Sequence, residues 1–213
     1  MGARTDLLME MYNKLFNAFG PQHWWPGETP FEVMVGAILT QSTNWKNVEK
    51  AINNLKSAGV FSPEAILELP PSKLASLIKS SGYFNQKTKK LKNFLKFFKE
   101  NYNFSIKRMK EEELTVLREK LLSVKGIGRE TADSILLYAL EKPIFVVDAY
   151  TYRVLTRHNI VPEDATYDEI QSLFMDNLEH EVKLFNEYHA LFVRVGKEFC
   201  KRNPECDNCP LKG

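Results

Sequence analysis

The chain has 213 residues, 44% of them hydrophobic and 26% charged, with a net charge of +2. That is ample for a buried core, as one large domain or two small ones, and no run of about 18 apolar residues is present to span a membrane. The net charge names no partner, but its distribution does: residues 73–129 carry 15 Lys/Arg against 5 Glu and no Asp, a basic stripe of the kind that faces an anionic surface.

Almost every segment has helical period and almost none alternates as strands do, which predicts an all-α fold of roughly ten helices. The first is amphipathic, with Leu7, Leu8, Met11, Tyr12, Leu15, Phe16 and Phe19 on one face and Gly20 as its stop. It lacks the basic-then-apolar pattern of a signal peptide, so a cytoplasmic protein is expected. Trp24, Trp25 and Pro26 follow in a proline-rich loop where no helical face requires both tryptophans. They could plug the end of a bundle or form a stacking slot for a base. Thr29-Pro30-Phe31-Glu32 reads as a capping box with proline at the first helical position, opening a helix to about Leu39. Another helix runs from Trp45 to Ala58 and stops at Gly59; Ser62 and Ser72 begin two short ones. Leu91, Phe94, Leu95 and Phe98 mark the buried face of the next. Helices are then expected near 111–123, 129–140, 149–158, 167–178 and 183–199, with Thr166 and Glu169 as a second capping box.

Lys125-Gly126-Ile127-Gly128 lies between two of these helices and reads as a helix–hairpin–helix. Two glycines let the backbone turn tightly, and the next helix starts with free N–H groups able to hold a phosphate. Twenty residues on, Asp148 ends the apolar run Ile144, Phe145, Val146 and Val147. A carboxylate leaving such a run is partly desolvated, which suits catalysis. It could equally cap the helix beginning Ala149-Tyr150-Thr151-Tyr152, and spacing alone does not separate these readings.

The hairpin and the aspartate together resemble the helix-hairpin-helix DNA glycosylase superfamily, the endonuclease III relatives, over almost the whole chain. Trp24-Trp25-Pro26, Leu39-Thr40-Gln41 with an aromatic at Trp45, Gly82-Tyr83-Phe84-Asn85-Gln86-Lys87 and Asp148-Ala149-Tyr150-Thr151-Tyr152 are similar to the endonuclease III-like 3-methyladenine DNA glycosylases. The resemblance implies two helical lobes with DNA and target base between them: a bundle over 22–138 that holds the hairpin, and a second lobe of 1–21 with 139–213. It implies that Asp148 is catalytic, that Trp24, Trp25, Pro26, Trp45 and Glu130 surround the base, and that Gln41 and Tyr83 fill the gap and wedge the opposite strand. Gly126, Gly128 and Glu130 would offer backbone N–H groups to phosphate, helped by Lys125 and Arg129. A monovalent cation at the hairpin, double-stranded DNA with a damaged base as partner, and a monomer are implied as well.

Two departures from the family pattern carry information. Bifunctional members have a lysine immediately after the hairpin's glycine and arginine, and its amine attacks the sugar. Here that position is Glu130, which cannot form a Schiff base; it can also simply favour the helix N-terminus. The expected activity is therefore monofunctional excision of alkylated purines, 3-methyladenine foremost. Such bases are cationic, and aromatic faces attract them by about 0.5–2 kcal/mol per contact. An endonuclease III-type enzyme for oxidised or mismatched pyrimidines and a non-catalytic DNA-binding module are the alternatives. The second departure lies in Cys200, Cys206 and Cys209, spaced Cys-x5-Cys-x2-Cys where the family's iron–sulfur loop reads Cys-x6-Cys-x2-Cys-x5-Cys. A fourth ligand at the family spacing would fall at position 215, after the chain stops. A 4Fe-4S cluster completed by a further or substitute ligand is expected, with zinc as runner-up and no metal as a third reading. His189 makes a poor fourth ligand and reads as a packed helix histidine.

Overall fold

The computed structural model describes residues 2–212, and among them are helices and no β-strand. In chain order the helices are α1 (Ala3–Phe19), α2 (Pro30–Leu39), α3 (Trp45–Ser57), α4 (Pro63–Glu68), α5 (Pro71–Leu77), α6 (Phe84–Tyr102), α7 (Ile106–Glu111), α8 (Leu114–Ser123), α9 (Arg129–Ser134), α10 (Ala149–Arg157), α11 (Tyr167–Met175) and α12 (Val182–Glu198). No helix among the described residues is long and apolar enough to cross a membrane. The helices form two compact units: the contiguous segment Pro26–Lys142, and a second made from the residues up to Trp25 together with those from Pro143 onward.

Local capping sets most helix starts. Thr29, Asn44, Ser62, Ser105 and Thr166 each accept a backbone N–H three residues on, an arrangement that stabilises a helix by about 1 kcal/mol. At Thr166 both halves of the capping box form, Glu169 reaching back to the Thr166 N–H at 2.7 Å. At Thr29 only the first half forms. The Glu32 carboxylate is drawn instead to Lys56 at 2.8 Å, where an ion pair on a nearly buried side chain outcompetes a backbone N–H. The helix expected at Ser72 starts one residue earlier, at Pro71, with Pro70 as its non-hydroxyl cap. The helix expected over 111–123 starts at Leu114, because the Glu113 carboxylate caps the Val116 N–H at 2.9 Å. Beyond Ser134, α9 widens into a π turn, Ile135–Ala139, closed by the Leu140 N–H on the Ile135 carbonyl at 3.1 Å.

In the contiguous unit α2 is the central post. Val33 through Leu39 are all buried, so this ten-residue helix is enclosed by its neighbours α3, α6, α9 and the π turn, as expected of a helix that is apolar all round. The second unit is built on an aromatic cluster: Phe145 stacks on Phe174 with centroids 3.7 Å apart, and Tyr188 and Phe192 pack edge-on to Phe174. The Tyr188 hydroxyl donates to the Leu8 carbonyl at 2.7 Å, tying α12 to α1 across most of the sequence. Within this unit α10 and α12 approach closely at one point. A Cβ placed on Gly196 would lie 2.5 Å from the Tyr150 ring, so only glycine lets these helices reach their spacing. Arg153 fixes the same crossing by donating to the carbonyls of Gly196 at 2.9 Å and Cys200 at 2.6 Å.

Gly196→Ala is therefore expected to destabilise the protein by about 1–3 kcal/mol, the range for overpacking a filled site. Urea unfolding would show this as a lowered midpoint with an unchanged slope.

Candidate active site and DNA-facing edge

Asp148 stands at the end of a run in which Ile144, Phe145, Val146 and Val147 are all buried. The run is held by α11: the Gln171 amide donates to the Phe145 carbonyl at 2.6 Å, and the Val147 N–H to the Tyr167 hydroxyl at 3.4 Å. Its extended backbone delivers Asp148 to the N-cap of α10, where Oδ1 accepts the Thr151 N–H at 2.8 Å and hydroxyl at 3.0 Å. The other oxygen, Oδ2, lies 3.5 Å from Nε2 of His189 on α12, and both side chains are almost enclosed, 12% and 5% exposed. Burial pushes the Asp148 pKa up, but the neighbouring His189 imidazole, with the two Thr151 donors, outweighs it and holds the carboxyl below its ordinary value. The residue is thus a cap and a stabilised buried carboxylate at once. His189, read from sequence only as a packed histidine, is the side chain that faces Oδ2; its distance along the chain from Asp148 leaves no local signal for the pairing.

In the same unit Trp24 and Trp25 meet edge to face, ring centroids 5.5 Å apart at 66°. Both are half-buried, and the Trp24 indole nitrogen is enclosed with no hydrogen-bond acceptor among the described residues. Pro26 and Trp45, at the first turn of α3, belong to the contiguous unit.

The contiguous unit carries the hairpin. Gly126 has φ +100°, and a Cβ there would lie 2.5 Å from Cγ of Lys90, so this glycine is required twice over. Gly128 differs. It is extended at φ −94°, ψ 178°, and a Cβ would meet nothing within 4 Å. Its lack of a side chain serves no internal packing and leaves the start of α9 open to a close approach. Lys125, Arg129 and Glu130 are exposed around this turn, and the Lys125 carbonyl accepts the Asn93 amide at 2.9 Å. Behind it, Arg118 on α8 clamps the fully buried Asp133 on α9 with bonds of 2.7 and 3.1 Å, a bidentate pair that fixes the angle of the two hairpin helices.

Gln41 and Tyr83 lie on the same unit. The Gln41 amide donates to Thr131 Oγ1 at 2.8 Å and accepts from the Lys90 ammonium. Tyr83 is 67% exposed with φ +43°. Both line a cavity of about 120 Å3 with Ser42, Gln86, Lys87 and Lys90.

At the C-terminus Cys200 is buried, Cys209 half-buried and Cys206 exposed, and all three line one cavity of about 110 Å3. Burial, together with the charges of Cys200 and Cys206, pushes the Cys209 thiol up. Arg157 lies 3.3 Å from the Cys200 sulfur and also donates to the Lys201 and Arg202 carbonyls, so the loop is fastened to α10. Among the described residues no three His, Cys, Asp or Glu side chains converge tightly enough to hold a single metal ion.

Comparison with known proteins places this architecture. The profile described as HhH-GPD superfamily base excision DNA repair protein matches residues 35–180. The chain is 49% identical over 210 residues to "Putative DNA repair glycosylase MJ1434" of Methanocaldococcus jannaschii, covering 98% of this chain and 96% of that one. It is 29% identical to endonuclease III of Thermotoga maritima over 86% and 81% of the two chains. The crystal structure of the H. pylori 3-methyladenine DNA glycosylase MagIII bound to 1,N6-ethenoadenine superimposes with a TM-score of 0.78 and 31% identity, over 92% of this chain and 97% of that one.

The Asp148–His189 pair has a pH signature. A carboxyl held below its ordinary pKa of 3.8 adds stability above that value and loses it as pH falls through the depressed folded value. His189→Ala removes the main group that opposes burial, so the Asp148 pKa rises toward its unfolded value or past it, and the loss of urea-unfolding stability on acidification shrinks. In His189→Ala/Asp148→Asn the Asp148 contribution to that loss is expected to vanish altogether.

Proposed function

The chain belongs to the HhH-GPD superfamily of base excision DNA repair proteins, and on that premise we propose that it is a monofunctional DNA glycosylase with Asp148 as its catalytic carboxylate. The observation that carries this reading is the environment of Asp148, an enclosed carboxylate kept ionised by His189 and Thr151. Breaking an N-glycosidic bond builds positive charge on the sugar. A preorganised carboxylate in a partly dry site stabilises that charge, or accepts a proton from the attacking water. Thr151 occupies Oδ1, which leaves Oδ2, steadied by His189, as the oxygen for this work. Glu130 supports hydrolysis without strand cleavage, since a carboxylate at the first turn of α9 forms no Schiff base.

The edge-to-face pair Trp24–Trp25 supports a flat, electron-poor base as substrate, an alkylated purine such as 3-methyladenine. The 31% identity to a 3-methyladenine DNA glycosylase runs the same way. A second reading, an oxidised or mismatched pyrimidine, is favoured by the likeness to endonuclease III. Under either reading the enzyme works as a cytoplasmic monomer on double-stranded DNA. It holds phosphate at the Gly126, Gly128 and Glu130 N–H groups beside Lys125 and Arg129, with a monovalent cation on the hairpin carbonyls. Gln41 and Tyr83 enter the stack where the base leaves.

The cysteines extend the proposal to a 4Fe-4S cluster. Three clustered thiols that line one cavity suit a cluster in which each thiolate meets its own iron, with zinc as the runner-up. Cys200, Cys206 and Cys209 would hold it, and its contribution would be to order the loop that Arg157 fastens to α10.

Single-turnover excision tests the function on duplexes carrying 3-methyladenine, 7-methylguanine, thymine glycol, or uracil or thymine opposite guanine. Free base should be released from the alkylated purine, with strand breaks only after alkali and no borohydride-trapped complex. Asp148→Asn should bind the same duplex yet lose about 10²–10⁴-fold in rate. Activity confined to a pyrimidine would select the second reading, and efficient trapping would reveal an amine nucleophile. Anaerobic reconstitution with iron and sulfide should yield both elements in equal amount with a visible charge-transfer band. Zinc retained alone would refute the cluster.

A further inference from the structure

The two segments assigned above to enter the duplex are short and conformationally unfavourable. Ser42, next to Gln41, has φ +55°, and Tyr83 has φ +43°, a region that residues with a Cβ avoid. Such turns persist only where surrounding contacts over-determine them. Tyr83 is too exposed to contribute that restraint itself.

The restraint comes from α6. Lys87 is 2% exposed, and its ammonium is held by two backbone carbonyls, Leu39 at 2.8 Å and Ser81 at 2.5 Å. Leu39 is the last residue of α2, immediately before Thr40-Gln41-Ser42. Ser81 closes the 3₁₀ turn Lys79–Ser81, immediately before Gly82-Tyr83. Both carbonyls end a helical turn, where the backbone's own donors run out and the dipole is negative, so a cation is the matching partner. One ammonium thereby joins the roots of both segments. Lys90, a turn further along α6, continues the network: it donates to Gln41, which donates to Thr131 in the second hairpin helix, and its stem fills the space beside Gly126. Burial and the Lys90 charge push Lys87 down to about 8, which leaves it mostly protonated at neutral pH.

We propose that Lys87 is a positioning residue for lesion capture, locking the Gln41 and Tyr83 segments in register with each other and with the hairpin through the Leu39 and Ser81 carbonyls. The inference rests on the reading of Gln41 and Tyr83 as the residues that enter the stack. Its consequence is specific: Lys87 acts on base extrusion through those two side chains, and not on duplex affinity at large.

A duplex with 2-aminopurine beside the lesion reports stack opening by fluorescence, and single-turnover excision reports the chemical step. Lys87→Met should lower both opening and excision by about tenfold or more, the scale for a small misplacement of reacting groups. Its circular dichroism and its affinity for undamaged duplex should match the unsubstituted protein. Added to Gln41→Ala/Tyr83→Ala, the same substitution should cost less than about a further twofold, as for residues that act through one another. Lys87→Gln, which keeps a donor on a shorter stem, is measured in parallel and should show the same dependence even if the methionine variant folds poorly. An independent, multiplicative loss in the triple variant, or weakened binding to undamaged duplex, overturns the inference. If Gln41→Ala/Tyr83→Ala opens and excises like the unsubstituted protein, the reading of those two residues falls, and the inference falls with it.

Discussion

An ionised carboxylate at the end of a buried apolar run is unfavourable unless its charge is met on every side. Much of the discontinuous unit is arranged around that constraint at Asp148. Thr151 meets one oxygen from the helix that Asp148 itself starts, and His189 meets the other from α12. For His189 to lie within 3.5 Å, α10 and α12 must pack closely, and Gly196 against Tyr150 makes that approach possible. Arg153 and Arg157 then fasten the end of α12 and the cysteine loop to α10. Removing any of these loosens the same carboxylate.

The contiguous unit solves the converse problem, a buried cation, with different material. No single acid faces Lys87; two helix-terminal carbonyls do. The pairing suits its place, because a carbonyl belongs to the backbone whose path must be fixed, whereas a carboxylate would fix only a side chain. Arg118 and Asp133 apply the rigid alternative behind the hairpin, where the angle between two helices has to be set by a bidentate clamp. The contiguous unit thus builds around a buried cation and the discontinuous one around a buried carboxylate.

Much of this was legible in the sequence because it is local. An N-cap and its N–H lie three residues apart, so Thr29, Ser62 and Thr166 announce their helices, and two glycines around Ile127 announce a turn. The apolar run before Asp148 likewise predicts its burial from neighbours alone. The expectations that moved did so where a longer-range partner competed. Glu32 left its capping box for Lys56, and the helix after Gly128 relaxed into a π turn rather than running straight to residue 140. Asp148 could not be divided between cap and acid from spacing; in the structure Thr151 meets one oxygen and His189 lies beside the other. His189 and Lys87 were invisible as working residues because their partners lie far along the chain, and periodicity records only that such side chains face inward.

The discontinuity of the second unit has a consequence during synthesis. Pro26–Lys142 is one uninterrupted stretch and can close as soon as it has emerged. Helix α1, made before that stretch, has to wait for α12, made after it, before Tyr188 can bond Leu8 and His189 can reach Asp148. On the ribosome the nascent chain therefore completes its hairpin turn well before the surroundings of Asp148 are in place.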